Sequence, residues 1–542
     1  MNFLPPTLAF FCLALASPTL QAQNTLPQVE ETALRAHLAL LSSDLFEGRG
    51  TGQRGGDLTV AYLEAQVAAL GLQAGNGKSF RQAVQITGIL PMLAESTLRL
   101  QVAGQPLPLK YGTDWVWNTK LPLAKQSFAN QFVFAGYGVT AVEEAWDDFK
   151  GQDVRDKILL LLPNDPQPTA SEPNRFGGKA MTYYARRGFK IEEAIRRGAK
   201  GVFLIHNEAL AAINWQAIAG NAENEHFQLA AQGIPVVGWL TEASARQLFT
   251  ASGQDYDALR AKAEQRDFVP QTLSASLQGD LRSALRQIEQ FNIAAVVPGT
   301  DAKLKSELLI YSAHWDHLGK VSAKPGEAGK DLIFNGAVDN ASGTAALLAM
   351  AKAAQKQPAK RSQMFLWVAA EEQGLLGSEY YANNPLWPLS KTAANLNLDS
   401  MNFVGLTKDI SSFGAERSDL GEMAAKLAKS MQIKLAAPRI DVNGVYFRSD
   451  HFSFAKAGVP AFSVGGGSEY VENQEANAAK RASFGQRYHQ LNDEYDPNWD
   501  LSGMQLQAQF TLNLGRSIAD AEQMPKWKAG DPFGLNRKPQ AN

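Results

Sequence analysis

A histidine and an aspartate two residues apart, His314 and Asp316, stand where the apolar run Leu308-Leu309-Ile310 gives way to a loop closed by Gly319. A short apolar run of this kind reads as a buried strand, and the ends of strands are where open α/β sheets build their sites. Further candidates hold similar places: Asp339 in Ala337-Val338-Asp339-Asn340, Glu371 and Glu372 after Phe365-Leu366-Trp367-Val368-Ala369-Ala370, Asp399 after Asn395-Leu396-Asn397-Leu398, and His489 beside Tyr488. Paired acids at the mouth of a buried strand need a partner such as a metal, because a buried unpaired charge is costly. Asp339 precedes a helical run and alone would serve as well near a helix cap. Taken together, His314, Asp339, Glu372, Asp399 and His489 offer two imidazoles and three carboxylates and no thiolate. That set suits a pair of divalent ions such as zinc, and one carboxylate can bridge ions about 3.5–4 Å apart.

Composition narrows the partners. The chain of 542 residues carries a formal net charge of −2, so nothing favours nucleic acid or an anionic membrane. Its single cysteine, Cys12, lies in an N-terminal stretch read as a signal peptide over residues 1–22, with Ala14-Leu15-Ala16 or Leu20-Gln21-Ala22 before the cut. Pro5, Pro6 and Pro18 argue against a buried helix there, although no Lys or Arg precedes Arg35. The signal peptide predicts an extracytoplasmic (periplasmic or secreted) protein, and its removal would leave no cysteine, which excludes disulfides and zinc–cysteine sites. No later run approaches the ~20 apolar residues of a membrane helix.

The elements that would position these residues follow from periodicity. Glu31 to Leu41 and Asp57 to Leu70 carry apolar residues at helical spacing, separated by the glycine-rich Phe46-Glu47-Gly48-Arg49-Gly50-Thr51-Gly52, read as a structural connection. From about 91 to 280 short β-like runs dominate, with His206 and His226 isolated and therefore structural or solvated. From about 290, strands expected at Asn292 to Val297, Leu308 to Ser312, Met364 to Ala369, Ala394 to Leu398 and Ala461 to Val464 alternate with helices such as Ala345 to Ala354, capped by Asn340 or Ser342. Alternation of this kind predicts an α/β fold with a mixed, largely parallel central sheet and helices on both faces.

The order His314-Trp315-Asp316, Asp339, Glu371-Glu372, Asp399, His489 resembles the two-zinc aminopeptidase family, which includes bacterial leucyl-type aminopeptidases and relatives of glutamate carboxypeptidase and transferrin receptor. The resemblance covers roughly 290 to 520. It implies a zinc-exopeptidase fold with a β-rich protease-associated (PA) insert, to which Gly136-Tyr137-Gly138-Val139, Trp146-Asp147-Asp148-Phe149 and Lys157-Ile158-Leu159-Leu160 are similar. The implied organisation is a signal peptide (1–22), N-terminal helices of the peptidase domain (23–90), the PA insert (91–280), the zinc peptidase domain (281–525) and a tail (526–542). The resemblance further implies that Asp339 bridges two zinc ions, His314 and Glu372 completing one and Asp399 and His489 the other. Glu371 would be the general base and Asp316 would orient the His314 imidazole. Tyr446, ranked before Tyr488, would steady the oxyanion. His317 and His451 fall outside the ligand positions and are expected to be structural.

The function so implied is a secreted aminopeptidase acting on peptides with a free N-terminus, with no nucleic-acid or membrane partner. Rivals are a carboxypeptidase or dipeptidase on the same scaffold, which would need a basic pocket to which Arg448 could contribute, a receptor-like protein on a dead scaffold, and a one-ion cyclotransferase of related fold. Side-chain preference and oligomeric state are not readable.

Overall fold

The computed structural model describes residues 27–229, 233–323 and 329–537. The signal-peptide expectation, with Cys12, and the last five residues of the tail fall outside the described residues.

Two helices open the described chain, α1 (Glu31–Leu41) and α2 (Arg54–Ala69). They are followed by β1 (Arg81–Pro91) and, after a long intervening segment, β2 (Gln271–Val297) and β3 (Leu308–His314). Then come α3 (Ser342–Lys356), β4 (Ser362–Val368), β5 (Thr392–Asn397), β6 (Ala461–Ser463) and α4 (Ser502–Asp520). Strands β6, β5, β3 and β4 lie side by side and parallel, in that order. β2 continues the sheet antiparallel to β4, and β1 pairs antiparallel with β2. Every residue of β3, β4 and β5 is buried, as expected of parallel strands covered on both faces. On one face α4 lies against β3: at Gly515 an added Cβ would sit 2.1 Å from the Tyr311 hydroxyl, so only glycine permits this approach. On the other face the helices Leu376–Asn383 and His451–Lys456 meet through Ser378 and Ser453, whose hydroxyls lie 2.9 Å apart. The largely parallel sheet with helices on both faces is the arrangement the alternation of elements implied.

The segment between β1 and β2 builds a second β-rich body. Strands Lys125–Phe134, Ile158–Leu161, Gly201–His206 and Val236–Thr241 are parallel neighbours, with Trp115–Asn118 antiparallel at the end. It has its own apolar clusters, among them Phe132, Phe134, Ile158, Leu160, Phe203 and Phe249. The two bodies are not joined by a linker. β2 is a single strand of 27 residues whose first half pairs with Lys125–Phe134 and Thr97–Val102 and whose second half pairs with β1 and β4. The boundary drawn from sequence at 280/281 falls inside it. The insert also leans on the first body through Tyr183, whose ring packs against Phe447, Phe452 and Phe533, and through a Lys456–Glu192 ion pair at 2.7 Å.

Candidate metal centre

His314 ends β3 and is 1% exposed. Its Nδ1 lies 3.1 Å from the backbone carbonyl of Asp316. A carbonyl only accepts, so Nδ1 carries the proton and Nε2 is left with a lone pair. That Nε2 faces Asp339 Oδ1 at 3.3 Å and Asp399 Oδ1 at 3.5 Å. Asp339 sits in the irregular turn Ala337–Ala341 that leads into α3. The backbone N–H groups of Val338 and Asp339 donate to the buried carboxylate of Asp493, and Gly343 N–H donates to Asn340 Oδ1 at 2.9 Å, so it is Asn340 that caps the helix start. The second oxygen of Asp339, Oδ2, lies 3.2 Å from His489 Nε2, which also faces Glu372 Oε2 at 3.0 Å.

These distances carry chemical information. In a tetrahedral zinc site with bonds near 2.0–2.1 Å, neighbouring ligand atoms are about 3.3 Å apart. The four contacts just given, from 3.0 to 3.5 Å, are edges of that size. Moreover, His489 Nε2 is buried yet makes no hydrogen bond, although two carboxylate oxygens lie close by. The donor set fits divalent cations, and the two oxygens of Asp339 face the two imidazoles separately. The grouping corrects the expected pairing: His314 lies with Asp399, and Glu372 with His489. Strand order is the reason, since β3 lies between β4 and β5 and its end can face either neighbour.

Asp399 is anchored by a buried polar chain across the parallel strands. Asn395 Nδ2 donates to Ser312 Oγ, which donates to Asn397 Oδ1, and Asn397 Nδ2 donates to Ser449 Oγ. Ser449 Oγ ends the chain by donating to Asp399 Oδ2 at 2.6 Å. Glu371 Oε2 is 4.0 Å from His314 Nε2, longer than the ligand edges, and its side chain is 11% exposed. Burial raises the Glu371 carboxyl well above the ordinary carboxylate range, opposed by His314 and reinforced by Asp450, Glu372 and Asp399. Burial alone would lower His314, but Glu371, Asp399 and Asp339 outweigh it and push the imidazole up. His489 rises to about 9: burial opposes the shift, and Asp339 and Glu372 drive it. A cluster that forces protons onto its imidazoles is short of positive charge.

Two expected roles change. The Asp316 carboxylate does not bind the His314 ring, whose Nδ1 is 3.9 Å away. It accepts the backbone N–H of Glu371 at 3.0 Å and of Glu372 at 3.4 Å, and so fixes the turn that presents both acids. Only the carbonyl of Asp316 orients the imidazole. Tyr446 is not available to an oxyanion: the turn Val445–Phe447 aims its ring inward, and its hydroxyl donates to Ala461 O at 2.9 Å. Tyr488 is better placed, since its ring stacks on His489 at 3.8 Å and is 39% exposed. Burial raises its hydroxyl, and the charges of Asp339, Glu372, Asp399 and Glu371 add to the shift. His451 lies against Tyr446, 4.8 Å between ring centres, and is not among the grouped donors.

Arg49, read as part of a mere connection, is fully buried and donates to the carbonyls of Trp315, Leu41, Asn335 and Gly336. It thereby ties the glycine-rich loop to both loops that carry His314 and Asp339. Nothing local in the sequence marks it, because its partners lie as far as 287 positions away.

The largely parallel sheet thus carries this donor set at its strand ends. Residues 292–512 match Peptidase family M28. Among curated relatives, a probable leucine aminopeptidase of Arthroderma otae is 31% identical over 185 residues, 33% of this chain and 47% of that protein. Leupeptin-inactivating enzyme 1 of Streptomyces exfoliatus is 32% identical over 160 residues, 28% of this chain and 34% of that protein. Aminopeptidase YwaD of Bacillus subtilis is 27% identical over 248 residues, 46% of this chain and 40% of that protein. The chain thus spans less than half the length of these relatives. Among solved structures, an aminopeptidase from Aneurinibacillus sp. strain AM-1 aligns over 93% of this chain and 97% of its own, at 17% identity and a TM-score of 0.47.

Proposed function

We propose that the protein is a zinc-dependent aminopeptidase that uses two ions. The observation that carries this reading is the pair of oxygens of Asp339, one facing His314 and the other His489 at ligand-edge distances. Two divalent ions held there would supply Lewis acidity and bring a water's pKa toward neutrality. His314, Asp399 and one Asp339 oxygen would hold one ion; His489, Glu372 and the other Asp339 oxygen would hold its neighbour. Glu371 acts as the general base, taking the proton of the attacking water on its carboxylate and delivering it to the leaving amine. Asp316 keeps that carboxylate in place through the Glu371 N–H. The Tyr488 hydroxyl donates to the oxygen that becomes negative.

Peptides with a free N-terminus are the proposed substrates, in keeping with the similarity to aminopeptidases. The insert, proposed as a PA module, would narrow the approach: Met181 N–H donates to Asp441 O and Tyr183 packs on Phe447, in the segment that also carries Ser449. An extracytoplasmic location rests on the reading of residues 1–22. No described helix is long and apolar enough to cross a membrane.

The test is hydrolysis of a panel of aminoacyl-nitroanilides before and after chelation, with zinc added back. Activity that needs a free α-amine, is lost with chelator and returns with zinc supports the proposal. Two bound ions with no activity on any free-amine substrate would favour a carboxypeptidase or dipeptidase, for which the exposed Arg448, next to Ser449, is the residue to examine.

A further inference from the structure

We propose that His317 is a positioning residue for the Glu372–His489 half of the centre: it holds Glu372 Oε1 by a hydrogen bond and leaves Oε2 as the oxygen that binds the ion. This rests on the two-ion reading of the site. His317 Nδ1 and Glu372 Oε1 are 2.7 Å apart, while the other oxygen of Glu372 faces His489 Nε2 at 3.0 Å. His317, Asp339 and Glu372 also lie close enough together to suggest a ligand trio with His317 binding directly. The distances favour the first role. Two ligands on one tetrahedral zinc sit about 3.3 Å apart; 2.7 Å is the length of a hydrogen bond to a carboxylate and shorter than that edge.

The rest of the ring agrees. His317 is fully buried, and its Nε2 has no partner. With the proton on Nδ1, the carboxylate accepts it and the orphan is a bare lone pair. A proton on Nε2 instead would bury an N–H without an acceptor, which costs more. The ring does not depend on Glu372 for its place. The His317 backbone bridges Gly50, and Gly336, at φ +54°, lies so close that an added Cβ would sit 2.5 Å from the ring's Cγ and Cδ2. Two backbone segments therefore clamp the imidazole before any ion arrives. The consequence is a Glu372 held to one-oxygen binding. Without His317 the carboxylate could turn or bind through both oxygens, changing the coordination number at one ion only.

The experiment is a two-step titration of the metal-free, full-length protein with Co²⁺ and with Zn²⁺ against a competing chelator. Visible absorption of the cobalt forms reports the coordination number. Wild type, His317→Ala and His317→Gln are compared, with circular dichroism and the melting temperature of each metal-free form as the control for folding. The expected result for His317→Ala is one ion weakened about 10–100-fold, the range for loss of such an outer hydrogen bond, with the other ion unchanged and an altered cobalt spectrum. His317→Gln, whose amide N–H can replace the donor, should recover most of the affinity. Wild-type affinity for both ions in His317→Ala would overturn the proposal. So would complete loss of one ion in both variants, which marks a direct ligand, or equal weakening of both ions without rescue, which marks a general structural role. If wild type binds two ions but cleaves no peptide, the aminopeptidase reading falls and this one stands. If wild type binds none, both fall.

Discussion

Two buried clusters of charge can be set side by side. In the insert, Asp148 and Asp165 feel the charge of Lys190, which is itself fully buried and donates to Tyr137 O. Asp148 accepts from Val139 N–H at 2.9 Å and Trp146 Nε1 at 2.8 Å, and Thr182 donates to Asp165. Burial pushes Asp148 up to about 7 and Asp165 up to about 6, while Lys190 opposes both shifts and is itself pushed down to about 8. In the strand-and-helix body, Asp316, Asp339, Glu371, Glu372, Asp399 and Asp450 gather around imidazoles, and the buried guanidinium of Arg49 nearby gives its hydrogen bonds to backbone carbonyls. The insert contains its own cation. In the strand-end cluster acids outnumber the cations near them, and that excess rather than the mere presence of acids is what a bound metal would balance.

The sharpest way to break this contrast is at Glu371. Glu371→Gln should leave ion stoichiometry and melting temperature intact while lowering kcat by about 10²–10⁴-fold, the contribution of a general base; near-normal turnover on a leucyl-nitroanilide would remove the base assignment. Lys190→Met tests the other side. Leaving Asp148 and Asp165 buried without their cation should cost about 3–5 kcal/mol, read by chemical denaturation, and two-ion binding should persist in the folded protein. Chelation should do the reverse. Removing ions present at 100- to 1,000-fold their Kd should cost roughly 2.7–4 kcal/mol, and Asp339→Ala should abolish this chelator-dependent shift. The smallest effect is a slope. Asp148, raised to about 7 from 3.8, keeps in the folded state a proton that the unfolded chain releases. Its contribution to stability is therefore present at low pH and lost as pH rises from about 4 to 7. The melting temperature of Asp148→Asn should accordingly gain on wild type across that interval; a constant gap would place the titration elsewhere.

How much of this could be read beforehand depends on how local the signal is. Helix α1 ends where its apolar spacing ends, and β3, β4 and β5 announce themselves as unbroken apolar runs. The candidate donors were legible because His314, Glu371, Glu372 and Asp399 stand at or just after such runs, while Asp339 and His489 lie in loops. Their grouping was not, because nothing in the order of residues says that β3 lies between β4 and β5. Tyr446 had the right spacing from Ser449, but one tight turn decides which way its ring points. His317 and Arg49 act through partners 55 and up to 287 positions away, beyond the reach of any local pattern. β2 was within reach. Leu273, Ala275, Leu277, Gly279 and Leu281 are buried in strict alternation with more exposed neighbours, the period of a half-covered strand. Drawing a domain boundary through them concealed it.

That strand has a further consequence, for the time at which the protein can become itself. Thr87 on β1 meets Gln287 on β2, 200 positions later, and His489 closes the centre only near the end of the chain. Contacts of such long separation form late, after the loops between them have closed. As the polypeptide emerges, β1 can pair with His226–Leu229 of the insert but must wait for β2 until the whole insert is made, and the insert can fold around the first half of β2 before the second half has a sheet to join. The insert is thus the early-forming template, and the peptidase sheet grows outward from the edge it provides.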